Sequence, residues 1–351
     1  MRSRRKLEHL SIAQRLSEHP YTNGLEDVQF LHNSIPEVDL DEIDTGVTFL
    51  GQELSLPLII NAMTGGIEEA LALNRDISGL GARFNIGIAV GSQTIALENK
   101  QLAKSFKIVR KVNRDGLILA NVAANSDPRM AVRAIEMIEA NGLQLHLNVP
   151  QELAMKEGDR NFRGLQENIA EIVRLSPVPV IAKEVGFGMS RETAQQLFDA
   201  GVRFFDVGGR GGTNFIAIEQ ARFGVLAEEF ASWGIPTAVS VAELASLYLP
   251  IEVVASGGIR GGLDAAKALA LGADLVGIAG RFLRIWSEKG VNALEDEIRR
   301  FEYHLKAAMV MTGARDLADL RRKPLVVSGP TANWLAARGI DVTRWAHTGK
   351  G

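Results

Sequence analysis

The chain contains no cysteine. Disulfides, thiolate metal sites and thiol catalysis are therefore excluded. It has no uninterrupted apolar stretch reaching the roughly 18 residues a membrane-spanning helix needs. Nor does charge of one sign dominate: 39 Lys+Arg stand against 42 Asp+Glu, for a net charge of −3. That balance offers no basic surface for nucleic acid or an anionic membrane. The first residues, Met1-Arg2-Ser3-Arg4-Arg5-Lys6, lack the apolar core of a secretion signal. These absences lead to the expectation of a soluble cytoplasmic protein with neither nucleic-acid nor membrane partners.

What is present is core-forming material. At 351 residues and 46% hydrophobic content the chain can bury a large interior. Length alone permits two domains, but α/β barrels reach this size as one. Short apolar runs at 58–63, 87–90, 117–121, 143–148, 178–185, 204–207, 252–256 and 275–278 read as strands. Amphipathic segments such as 128–140, 191–200, 237–249 and 263–271 separate them, with Asn141-Gly142 and Gly201 as C-cap signals. Eight strand–helix units predict a (β/α)8 TIM barrel, with a doubly wound open sheet as the competing architecture. One domain, 1–351, is expected: an N-terminal extension over 1–56, the barrel over 57–290, and a C-terminal helix (294–311) and tail over 291–351. A long insertion, 208–236, follows strand six, and loops of that length are usually functional.

Barrel chemistry sits at the carboxyl ends of the strands. Here those ends are all polar or glycine-rich: Asn61-Ala-Met-Thr-Gly-Gly66, Gly91-Ser-Gln93, Asn121, His146-Leu-Asn148, Lys183-Glu184, Gly208-Gly-Arg-Gly-Gly-Thr213, Ser256-Gly-Gly-Ile-Arg260 and Ala279-Gly-Arg281. Residues 143–152 are the most telling. Leu143, Leu145 and Leu147 alternate with Gln144, His146 and Asn148, and Pro150-Gln151-Glu152 follows. Such a strand brings several polar groups to one rim.

Each feature has a functional and an ordinary reading. Gly257, Gly258, Ala279 and Gly280 let backbone amides approach an anion where this fold commonly binds phosphate; they can also be simple turn glycines. Lys183 ends a buried strand and points to a ligand anion or acid/base work; otherwise it snorkels and pairs with Glu184. The glycines around Arg210 can wrap a ligand or act as a hinge. Arg5, Lys6 and His9 can grip a diphosphate or belong to a solvated terminus. Glu152 suits Mg2+, which takes one or two carboxylates plus substrate phosphates, or is a first-turn acid of the next helix.

Together the segments resemble the type 2 isopentenyl diphosphate isomerases, an FMN-dependent family. The matching pieces are Arg5-Lys6-x-x-His9, Ala62-Met-Thr-Gly-Gly66, Gly91-Ser-Gln93, Asn121, His146-Leu-Asn-Val-Pro-Gln-Glu152, Lys183-Glu-Val-Gly-Phe-Gly188, Gly209-Arg-Gly-Gly-Thr-Asn214, Ser256-Gly-Gly-Ile-Arg260 and Ala279-Gly280. They run in order over most of the chain. The resemblance implies isomerisation of isopentenyl diphosphate to dimethylallyl diphosphate with reduced FMN, NADPH as reductant, and Mg2+ on the diphosphate. It implies that Met63, Thr64, Gly65, Ser92, Asn121, Lys183 and Thr213 contact the flavin. Gly257, Gly258, Arg260, Ala279 and Gly280 would hold its phosphate region. Arg5, Lys6, His9, Ser92, Gln93, His146, Asn148 and Gln151 would bind substrate, and Glu152 the metal. Gln151, Lys183 and His146 are the catalytic candidates, and a homotetramer or octamer is implied. Two positions depart from the family pattern: Gly208 stands where Ser is common, and Thr94 where some members have Arg. Two other readings compete. One is an FMN-dependent 2-hydroxy-acid oxidoreductase on the same barrel, which needs a His base where Val207 stands. The other is a non-enzymatic phosphate-ligand sensor.

Overall fold

The computed structural model describes Ile12 and residues 22–66, 68–222, 226 and 228–347. Eight parallel strands close into a barrel in sequential order: β1 (Leu58–Ile60), β2 (Gly87–Ala89), β3 (Ile118–Ala123), β4 (Gly142–Leu147), β5 (Val180–Glu184), β6 (Phe204–Asp206), β7 (Glu252–Ser256) and β8 (Leu275–Ile278). Leu58, Ile59 and Ile60 are wholly buried. That fits a sheet covered on both faces, whose strands read as continuous apolar runs. The longest registers are β3 with β4 and β4 with β5; they set Asn121 beside Gln144 and His146 beside Lys183.

On β4, Leu143 and Leu145 enter the core between strands and helices, while Gln144 bonds across the lumen to Asn61 and His146 to Asn121 on the neighbouring β3. The expected alternation is therefore present. β1 ends earlier than the 58–63 expectation. Asn61 turns its amide oxygen back onto the N–H of Ala62 (2.9 Å), a local bond that competes with the sheet ladder.

The helices start where side chains cap them. Asp127 accepts from the N–H of Arg129 at the start of Pro128–Ile138, and Ser190 from that of Thr193 at the start of Arg191–Asp199. The left-handed position ending Pro128–Ile138 is Glu139 (φ 50°), so Asn141-Gly142 is not its cap. Asn141 instead accepts from the N–H of Ile118 and from Arg110. The helix expected over 294–311 spans Gly280–Thr312, starting directly after β8 and broken by Gly290 at φ 80° and ψ −178°.

The segment before β1 is structured. Val47–Phe49 and Gln52–Leu54 form a hairpin through Leu50 and Gly51, both at positive φ as its tight turn requires. Phe49 and Leu54 join the buried cluster of Ile59, Ala89, Ile181 and Val254, and so close the amino-terminal end of the barrel. Val28–Phe30 pairs antiparallel with Leu325–Val327, tying the extension to the tail. The insertion after β6 carries the helix Phe215–Arg222, which packs through Ile216 on Ala154 of the short helix Val149–Ala154. Among the described residues no helix is long and apolar enough to cross a membrane.

Candidate active site at the carboxyl end of the barrel

A chain of buried polar side chains crosses the lumen. Asp206, on β6, is wholly buried and receives Asn61 Nδ2 at 2.6 Å, the N–H of Gly208 at 3.2 Å and the Ser256 hydroxyl. Lys183 Nζ lies 3.2 Å from its Oδ2. From Asn61 the chain continues: Gln144 Nε2 donates to Asn61 Oδ1 (3.0 Å), and Asn121 Nδ2 donates to Gln144 Oε1 (3.2 Å). Asn121 Oδ1 lies 2.9 Å from His146 Nδ1. Six strands thus contribute to one connected set. Buried polar groups need such partners, since each unpaired one costs about 1–3 kcal/mol.

Lys183 is 8% exposed. Its pairing with Glu184, the ordinary reading of the sequence, is not what forms. Nζ donates to the Glu184 backbone carbonyl at 2.9 Å, and its carboxylate partner is Asp206. The Glu184 side chain points the other way, accepting from the N–H groups of Val185 (2.6 Å), Gly186 (2.9 Å) and Phe187 (2.7 Å). Burial pushes its carboxyl up to about 8, against the opposing pull of those N–H groups and of Lys183.

The partly exposed His146, Asn148, Gln151 and Glu152 form one rim, the last three on or beside Val149–Ala154. Asn148 Nδ2 donates to Glu152 Oε1 at 2.8 Å and lies 3.4 Å from Gln151 Oε1. Glu152 Oε2 accepts from the N–H of Asp159 at 2.9 Å. Each carboxylate oxygen keeps acceptor capacity beyond these bonds.

The glycine loops after β6 and β7 touch backbone to backbone. Gly257 (φ 103°) and Gly258 (φ 76°) are left-handed, and a Cβ at Gly257 would sit 2.0 Å from the Gly209 oxygen. A Cβ at Gly280 would lie 3.1 Å from Thr213 Oγ1, so Thr213 stands at the start of Gly280–Thr312. A Cβ at Gly208 would fall 1.9 Å from the Glu184 oxygen, so the backbone here admits no side chain. Arg260 is exposed, its N–H donating to Asp264. Arg210 turns outward, donating to the Ser232 carbonyl at 2.7 Å.

On the opposite side Met63 and Ser92 are partly exposed and Thr64 nearly buried. Ser92 Oγ lies 3.2 Å from Thr94 Oγ1. Gly65 has no room for a side chain, because a Cβ would meet Phe106 at 2.1 Å. Gln93 does not reach the mouth. It is wholly buried, donating to the Ala134 carbonyl (2.9 Å) and accepting from the Asn121 N–H (3.0 Å), so its amide braces the wall and is not available for the expected substrate contact. Arg5, Lys6 and His9 lie outside the described residues. Downstream of them, Asn23 donates to the Gly258 carbonyl at 2.6 Å and so fastens the extension to the glycine loops.

Sequence reasoning missed Asp206, which sat inside a run read as an apolar strand. An acid amid Phe204, Phe205 and Val207 is itself a signal of a buried cationic partner.

A family model for FMN-dependent dehydrogenases matches residues 122–327. The isopentenyl-diphosphate delta-isomerase of Moorella thermoacetica is 53% identical over 337 residues, covering 96% of this chain and 97% of that protein. The enzyme of the same name from Symbiobacterium thermophilum is 45% identical, covering 99% and 98%. Among solved structures, a putative lactate oxidase of Pediococcus acidilactici superposes with a TM-score of 0.70 at 14% identity, covering 90% of each chain. A flavocytochrome b2 gives 0.69 at 18%, covering 95% of this chain and 85% of that one. At these identities the two structures share the fold. Identity of this extent along nearly its whole length places the chain in the isopentenyl-diphosphate delta-isomerase family, on the barrel of the FMN-dependent dehydrogenases.

Proposed function

We propose that this protein isomerises isopentenyl diphosphate to dimethylallyl diphosphate with reduced FMN bound across the barrel mouth. The observation that carries this reading is the likeness to the Moorella and Symbiobacterium isomerases over almost the entire chain. The reaction places a proton on the terminal alkene carbon and removes one from the methylene on the far side of the central carbon, so the double bond moves by one position with no net redox change. The residues fit a flavin nucleotide. Left-handed glycines and a helix N-terminus suit its phosphate, and Lys183 offers an ammonium at the mouth for an anionic ring. When bound, reduced FMN supplies an electron-rich face and a nitrogen that exchanges a proton.

This chain's residues do the rest. Gly257, Gly258, Arg260, Ala279, Gly280 and Thr213 hold the flavin phosphate. Met63, Thr64, Gly65, Ser92 and Asn121 line its ring, and Lys183 stabilises negative charge on it. His146, Asn148 and Gln151 face the five-carbon tail, with Gln151 orienting the alkene. Glu152 carries Mg2+ on the diphosphate. Among the described residues no group of three or more His, Asp or Glu gathers as a metal cage. A single carboxylate completed by substrate phosphates is the arrangement Mg2+ accepts. Arg5, Lys6 and His9 enclose the diphosphate, and binding energy from that remote group positions the featureless tail. NADPH keeps the flavin reduced, and a homotetramer or octamer is the working form. The direct test is product analysis: isopentenyl diphosphate with the FMN-reduced protein, Mg2+ and no oxygen should yield dimethylallyl diphosphate. No product under those conditions rules the proposal out.

A further inference from the structure

The buried chain across the lumen has a direction. Asp206 presents two carboxylate oxygens to four donors, Asn61 Nδ2, the Gly208 N–H, the Ser256 hydroxyl and Lys183 Nζ, so it acts only as an acceptor. That fixes the Asn61 amide with its nitrogen toward Asp206. The N–H of Ala62, donating to Asn61 Oδ1 at 2.9 Å, fixes the same orientation independently. Asn61 Oδ1 then demands the nitrogen of Gln144, and the oxygen of Gln144 demands the nitrogen of Asn121. The oxygen of Asn121 is left facing His146 Nδ1 at 2.9 Å. Turning Asn61 or Gln144 over would set oxygen against oxygen at one junction and nitrogen against nitrogen at the other, and turning Asn121 over would set its oxygen against that of Gln144. In a buried chain each such mismatch costs about 1–3 kcal/mol. A carbonyl oxygen cannot donate, so His146 Nδ1 must carry the hydrogen.

We infer that Asp206, acting through Asn61, Gln144 and Asn121, locks His146 as the Nδ1–H tautomer, with Nε2 as the ring's proton-accepting atom. Asp206 and Gln144 are thus positioning residues. The carboxylate that holds Lys183 at the flavin side also sets which nitrogen His146 uses on the substrate side. The same partner preference governs imidazoles generally, where the hydrogen bond made by one ring nitrogen decides the state of the other. The tautomer stands on hydrogen-bond geometry alone; its consequence for proton handling rests on the proposed isomerase reading.

The test is 15N NMR of the FMN-loaded holoenzyme labelled in histidine, at a pH where His146 is neutral. A His146→Asn variant identifies its signals among the six histidines. The expected result is an Nδ1–H pattern in the unmodified protein. In Gln144→Met, which breaks the chain while leaving Lys183 with Asp206, part of the population should move to the Nε2–H form and the pH profile of turnover should shift. An Nε2–H pattern in the unmodified protein overturns the inference, whether or not Gln144→Met folds. So does an unchanged tautomer in a folded, flavin-binding Gln144→Met protein. The measurement needs no turnover: an Nδ1–H protein that forms no dimethylallyl diphosphate defeats the proposed function and leaves the inference standing.

Discussion

Two neighbours on β5 meet burial in different ways. Lys183 finds a carboxylate in Asp206, whereas the Glu184 carboxyl is met by backbone N–H groups. With its carboxyl raised from 4.5 to about 8, folded Glu184 keeps a proton that the unfolded chain has released across that interval. Folding takes up a proton there, so this group's contribution is fully present below about 4.5 and is lost as pH rises toward 8. Glu184→Gln keeps an oxygen for the three N–H groups and removes the ionisation. Its melting temperature should fall less than that of the unmodified protein between about pH 5 and about pH 8.5. Equal slopes in thermal melts of the two proteins would refute this. At this scale much of the site was legible: Lys183, Asn121 and His146 stand out because polar residues ending apolar strands are conspicuous. Partnership was less so. Nothing in sequence spacing joins Lys183 to Asp206, because the contact is made by β5 lying beside β6 in the closed sheet. Gln93 was misread for a similar reason, since position at a strand end does not say which face a side chain takes.

Among the elements, the hairpin before β1 was hidden. Its strands are three residues each and its turn, Leu50-Gly51, lacks the Asn-Gly or Asp-Gly signature. Only the closed barrel creates the apolar amino-terminal end of the lumen that Phe49 fills. Its ring lies 5.7 Å from that of Phe204, edge to face. Phe49→Ala removes a wholly buried ring and leaves a cavity that the rigid sheet closes poorly, for a loss of about 3–5 kcal/mol. Denaturant unfolding followed by far-UV circular dichroism checks it, and a loss below about 1 kcal/mol would mean that the hairpin is not the barrel's plug. Because Phe49 lies at the amino-terminal end, flavin content per folded molecule should not change. The eight barrel strands were legible by contrast, since parallel strands buried on both faces are runs of Val, Ile, Leu and Ala that need no partner to be recognised. The long helix after β8 was half visible, as Gly290 interrupts its pattern.

For the molecule as a whole, the fold and the chemistry separate. A lactate oxidase and a flavocytochrome b2 share the barrel at 14% and 18% identity. Flavin barrels that oxidise 2-hydroxy acids need a base beside the loop after strand six, to take a proton as hydride leaves. Here that position is Val207, wholly buried, followed by Gly208, whose Cβ-free backbone abuts the Glu184 carbonyl. The polar chain instead ends at His146, on the rim that carries Asn148, Gln151 and Glu152. The purified protein should therefore be yellow, bleach with NADPH or dithionite, and stay oxidised when mixed anaerobically with lactate, glycolate or mandelate. The visible absorbance of the oxidised flavin reads both responses. Bleaching by any of the hydroxy acids at a rate comparable with NADPH would mean that the barrel supplies a base from elsewhere, and would move the chemistry of this mouth from proton transfer to hydride transfer.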